Sequence, residues 1–132
     1  MKRTVGGGVV VLALCVGACE SASEHKAEAA AVSHAVNSLR DADIQQKRDF
    51  LGELRSAPCS TPDVCAVRSA CLAAYELHVG VMNRVRESVK LPDAGAGDAA
   101  ELEAMKRDLK RSLDLTAACT DAQGEMIRRY KL

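Results

Sequence analysis

The chain reads as an all-α protein, an antiparallel up-down-up three-helix bundle stapled by disulfides. Three observations predict this. Apolar residues recur at three- and four-residue spacing over three long stretches. Breaks rich in proline and glycine separate those stretches. The chain has one Phe, two Tyr and no Trp among 132 residues, so it lacks the aromatic residues that strands favour. Much of its 48% apolar content is alanine, so the core is thin.

The first eighteen residues read as a targeting segment rather than as part of the fold. Lys2 and Arg3 form a positive start, and Val5 to Val16 is apolar and uncharged. That layout is a secretory signal, too short to span a bilayer as a helix. It closes on Val16-Gly17-Ala18-Cys19, which resembles the bacterial lipobox, where small residues precede an obligatory cysteine. The rival Cys15 follows Leu14, a poor match to those small residues. The resemblance implies cleavage before Cys19, a lipid on its sulfur and acylation of the new amino group. Several acyl chains at ~0.8 kcal/mol per buried CH₂ make a stable membrane attachment. In Gram-negative lipoprotein families an aspartate after the cysteine favours inner-membrane retention. Glu20 departs from that signal, which implies an outer-membrane address facing the periplasm.

The mature chain, residues 19–132, is expected to hold helices over about 20–57, 61–91 and 98–131. In the first, Val32, Val36, Leu39, Phe50 and Leu54 share helical spacing, while Asp43 and Gln46 interrupt the seam as a possible capping box and break. Pro58 ends it. Ser60-Thr61-Pro62-Asp63 starts the second, whose seam is Val64, Val67, Cys71, Ala74, His78, Val81 and Val85. A second stripe of Leu72, Tyr75, Val79 and Met82 widens its buried face. The run from Pro92 to Gly97 reads as a turn. Asp98 with Glu101 is a capping box that opens the third helix. Its seam is Leu102, Met105, Leu109, Ser112, Thr116, Cys119, Met126 and Tyr130. Arg128, Arg129 and Lys131 suit its last turn, where the helix dipole favours cations. Short connections make the helices antiparallel neighbours.

With Cys15 removed and Cys19 acylated, four cysteines remain, an even number suited to two disulfides in an exported domain. Cys65 and Cys71 lie six apart on one helix and point to different faces. About a turn centred on Gly95, Cys71 and Cys119 stand level, each 24 residues away. The spacing therefore predicts Cys71–Cys119 and Cys59–Cys65. The alternative pairs, Cys59–Cys71 with Cys65–Cys119, need a longer reach at both bonds. The spacing lacks a short zinc knuckle and the chain has no Cys-x-x-Cys-His, so neither zinc nor covalent haem is expected.

His25 and His34 fall on polar parts of the first segment. His78 interrupts an apolar seam, and reflection through the two turns brings Ser112 and the neighbourhood of Asp43 to its level. These three form a predicted polar layer that would fix register, as single polar residues do in coiled coils. They are not read as a hydrolase triad, because no nucleophile elbow or oxyanion hole accompanies them. A histidine–methionine haem site with Met82 or Met105 would need a roomier, more aromatic pocket. The closing Arg129-Tyr130-Lys131-Leu132 resembles the tail of murein lipoprotein, whose terminal lysine is joined to peptidoglycan. Here Leu132 follows Lys131, so Lys131 reads as an exposed helix-end charge.

Residues 19–132 carry 16 basic and 18 acidic side chains, a balance that gives no reason to expect a nucleic-acid partner. The leading expectation is a non-enzymatic, lipid-anchored envelope protein whose helices serve a structural or protein-binding role, held to the membrane through Cys19 and free of cofactors. The runner-up is a small-ligand or cofactor carrier using the polar layer around His78.

Overall fold

The computed structural model describes residues 17–90 and 99–132, with residues 17–20 described by backbone alone. The apolar leader, the turn at 92–97, Asp98 and the side chains of Cys19 and Glu20 lie outside the described residues. The rest is all-helical, without a strand among the described residues. It forms four helices: α1 (Gly17–Asp41), α2 (Lys47–Ser56), α3 (Pro62–Val89) and α4 (Ala99–Tyr130).

The expected first helix of a three-helix bundle is therefore two helices, α1 and α2. Asp43 causes the break. Its Oδ1 accepts hydrogen bonds from the backbone N–H groups of Gln45 and Gln46, both at 2.9 Å. A side chain that satisfies those donors replaces the helical ladder with a turn. Lys47 N–H then closes onto the Asp43 carbonyl at 3.0 Å, and α2 runs back along α1.

The start of α3 also differs in detail from its sequence signature. Pro62 opens the helix as expected, and Thr61 is its extended N-cap residue, but the Thr61 hydroxyl is buried without a partner. The anionic cap comes from α1 instead. The Glu28 carboxylate accepts from Ser60 N–H, Ser60 Oγ–H and Thr61 N–H, at 2.5–3.0 Å. These bonds hold the carboxyl down to about 2, led by the Ser60 hydroxyl and backbone.

α3 and α4 form a long antiparallel hairpin. Its rungs are Asp63 with Arg129 and Tyr130, Cys71 with Cys119, and Arg84 with Asp108. The structure pairs Cys71 with Cys119 (Cα–Cα 4.9 Å) and Cys59 with Cys65 (Cα–Cα 5.2 Å), the pairs that the hairpin register predicts. α3 is long and apolar enough to cross a membrane by length and composition alone. Its apolarity has a packing explanation, because it packs against all three other helices. The core joins Val32, Val36 and Leu39 of α1 to Leu51 and Leu54 of α2, with Val64, Val67, Cys71, Ala74, Cys119 and Met126 of the hairpin. Lys131 ends α4 in the left-handed region (φ 53°), and Leu132 N–H bonds the Ile127 carbonyl across that turn.

Candidate functional site

The predicted polar layer does not assemble. Ser112 is buried, but its hydroxyl donates to the Leu109 carbonyl of its own helix at 2.8 Å. Asp43 is exposed and engaged in the turn described above. His78 is half-buried and makes no hydrogen bond among the described residues. Level matching placed Asp43 within one helical turn of His78, and one turn is the distance between an acid and a base here. The charge that faces His78 is Lys47, just past the break. Burial first, and the Lys47 cation second, lower the His78 pKa from its ordinary value.

Lys47 is the unexpected residue of this region. It opens α2 yet is buried, with Nζ donating to the carbonyls of Leu39 (2.6 Å) and Arg40 (3.1 Å). Those are carbonyls that the end of α1 would otherwise leave unpaired. The same ammonium stands 5.6 Å from the centroid of the Tyr75 ring, a cation–π distance. Burial lowers its pKa, against the opposing pull of Asp41 and Asp43. The Tyr75 hydroxyl beneath it is buried and unpartnered. Beside this group an open cleft of about 380 Å³ runs between α2 and α3, lined by Gln45, Arg48, Asp49, Val79, Asn83 and Arg86.

A buried polar layer does exist, eleven residues along α4 from Ser112 and on different residues. Gln123 of α4 is 2% exposed. Its amide nitrogen donates to the Ser33 carbonyl, Ser33 Oγ and Asn37 Oδ1, and its Oε1 accepts from Arg40 at 2.6 Å. This network fixes α1 against α4. The signal was in the sequence, since position 123 follows Leu102, Leu109 and Thr116 at intervals of seven.

That same interval shows where α1 stops. Gln123 marks the stripe of α4 on which α1 lies. Followed toward the hairpin end, the stripe reaches Leu109 and Leu102, which are 37% and 49% exposed, with Leu113 beside them at 59%. On α3 the matching stripe runs from buried Tyr75 through Met82 to Val89, which is 76% exposed. One continuous hairpin face is thus covered by α1 below and open above. A shallow apolar groove of about 250 Å³ lies there, lined by Val81, Val85, Leu102, Met105 and Leu109 among others.

Among the described residues no three His, Cys, Asp or Glu side chains are grouped to hold a metal ion. A second groove, of about 320 Å³, lies between α3 and α4 near Asp63 and Met126. Neither groove nor the cleft brings a nucleophile, a base and an oxyanion donor together. No protein-family model, characterised protein or solved structure matches this chain.

Proposed function

We propose that this chain is a non-enzymatic, lipid-anchored envelope protein that uses the free end of its α3–α4 hairpin to bind protein. The observation that carries the protein-binding half is the open hairpin face. A helix pair that buries its apolar stripe under α1 for half its length and exposes the continuation is built like an unfinished bundle. The lipobox-like Val16-Gly17-Ala18-Cys19 supports the anchored half. The two features fit each other in space. α1 runs in the same direction as α3, because Glu28 meets Ser60 while Leu39 stands at the level of Tyr75 through Lys47. Cys19 therefore begins at the end of the molecule opposite the open face, and the lipid leaves that face accessible.

The separation of His78, Ser112 and Asp43 favours this reading over a ligand carrier, because Ser112 bonds its own helix and Asp43 is engaged in the turn between α1 and α2. The test has two arms. Cys19→Ser abolishes incorporation of labelled palmitate and releases the product from the membrane fraction; persistent labelling contradicts the anchor. Leu113→Glu leaves helicity and labelling intact but removes cross-linking to protein in the native envelope; unchanged cross-linking contradicts the binding face.

A further inference from the structure

Arg40, Arg55, Arg68, Arg84 and Arg129 each hold a partner within the chain. Arg48 of α2 and Arg86 of α3 do not. Among the described residues neither forms an ion pair, and both line the cleft of about 380 Å³ between those helices. Arg86 continues the stripe of α3 that meets Lys47 through Tyr75. It follows Tyr75, Val79 and Met82 at steps of four, three and four, and Tyr75 and Val79 are buried. An apolar residue is the regular occupant of such a position, yet a half-buried arginine stands there. Asn83, three residues before it, and Gln45, in the turn that Asp43 makes, add two side-chain amides to the cleft. Among the described residues no hydrogen bond takes up either amide. Arg48 and Asp49 lie in the first turn of α2, where the helix dipole also favours an anion.

We propose that this cleft binds a small, soluble phosphate monoester. Its side chains present donors in excess, two guanidinium forks and two amides against the single carboxylate of Asp49. A ligand carboxylate would satisfy one fork and leave the second cation unbalanced. A phosphate monoester carries about −1.5 to −2 at pH 7 with three acceptor oxygens, so it balances Arg48 and Arg86 together. Asp49 repels bare phosphate and selects an ester whose organic part carries a hydroxyl, which the carboxylate accepts. That organic part rests on Ile44 and Val79. The cleft volume falls within the roughly 300–1,000 Å³ of small-molecule sites, more than a bare phosphate fills. Lys47 and Asp43 stand close by, but they are engaged at the end of α1 and in the turn. On the lipid-anchored reading the source is a solute. Cys19 stands near the start of α1 and the cleft lies past its other end, roughly 30 Å away, beyond the headgroups around the anchor.

Isothermal titration calorimetry of the intact protein, in maltoside detergent and a buffer free of phosphate and sulfate, tests the proposal with glycerol 3-phosphate as probe. Saturable binding is expected with Kd at or below about 1 mM, and none for glycerol or acetate over the same range. Arg48→Met and Arg86→Met should each weaken it at least about tenfold, and Arg86→Lys, which keeps the charge but not the fork, about threefold. Arg107→Met, at an exposed arginine on α4, should leave it unchanged. In Asp49→Asn the preference for glycerol 3-phosphate over inorganic phosphate should fall about fivefold. Arg48 and Arg86 reach solvent, so circular dichroism should show every variant folded. No saturation up to about 10 mM overturns the proposal. So does an equal loss in Arg107→Met, or acetate binding as tightly as the ester. Flotation of the Cys19→Ser chain with phosphatidic acid vesicles, lost in Arg86→Met and without binding of glycerol 3-phosphate, overturns the soluble source. None of these residues lines the apolar groove of the hairpin, so failure here leaves the protein-binding reading standing, and Leu113→Glu should leave ester binding unchanged.

Discussion

Lys47 spends its charge on backbone. A lysine at the first position of a helix is normally solvated, but here the chain reverses so tightly after Asp43 that the ammonium lies over the end of α1. Lys47→Met should cost about 1–3 kcal/mol in chemical denaturation, because the Leu39 and Arg40 carbonyls lose their donor. Two other residues divide the pH response. Glu28 has its folded pKa depressed to about 2, so its contribution is present above the ordinary carboxyl value and is lost as pH falls from there toward 2. In Asp63, burial pushes the carboxyl upward, but bonds from Tyr130 and Arg129 outweigh it and lower the pKa, so it shares that acid limb. Melts between pH 2 and 6 should therefore show Glu28→Gln with a shallower acid limb than the wild type. His78 works in a different window. Its folded pKa is lowered, so the stability of the neutral ring is present above about 6.5 and lost as pH falls below it. His78→Leu should flatten the melting profile between pH 5 and 7 while leaving the acid limb; parallel profiles for variant and wild type would contradict this placement. The sequence marked His78 as unusual but not Glu28 or Lys47. Their roles depend on which helix end comes to rest beside them, and spacing along one helix does not contain that information.

At the scale of elements, the caps and breaks were legible wherever local chemistry sets them. Pro58, Pro62 and Asp43 mark real boundaries, and Asp43 turned the expected first helix into α1 and α2. The Cys71–Cys119 pair was legible from the hairpin register, and Cys59–Cys65 as the pair that it leaves. The Cys71–Cys119 bond closes a long loop, with a sequence separation of 48. Replacing both residues by alanine should cost on the order of 2–5 kcal/mol in equilibrium unfolding. The polar layer was misplaced because it was located by level matching about His78, whereas Gln123 continues the heptad stripe of Leu102, Leu109 and Thr116. Gln123→Leu should cost roughly 1–3 kcal/mol, since it leaves Asn37 and Ser33 of α1 facing an apolar group. A cost near zero in denaturant titrations would mean that α1 is held by Val32, Val36 and Leu39 alone.

At the scale of the whole molecule, the helices are unequal in reach. α1 stops near the level of Tyr75, while α3 continues for about another 14 residues, roughly 20 Å. A three-helix bundle of matched lengths would have covered that stretch. The break at Asp43 sends the chain back along the half already covered, so Val89, Leu102 and Leu113 stay exposed. The sequence displayed these apolar residues as part of a seam, and nothing in their spacing says which part of a seam another helix will cover. The central claim is that this uncovered half is a protein-binding face. Site-specific photo-cross-linking in the native envelope tests it most directly, with the photoreactive residue at Leu113 on the open face and at Ala118, exposed on a different side of α4, as control. The account predicts a discrete protein adduct from position 113 and none from 118, its mass showing whether the partner is a second copy. No adduct at 113, or equal adducts at both positions, would contradict it.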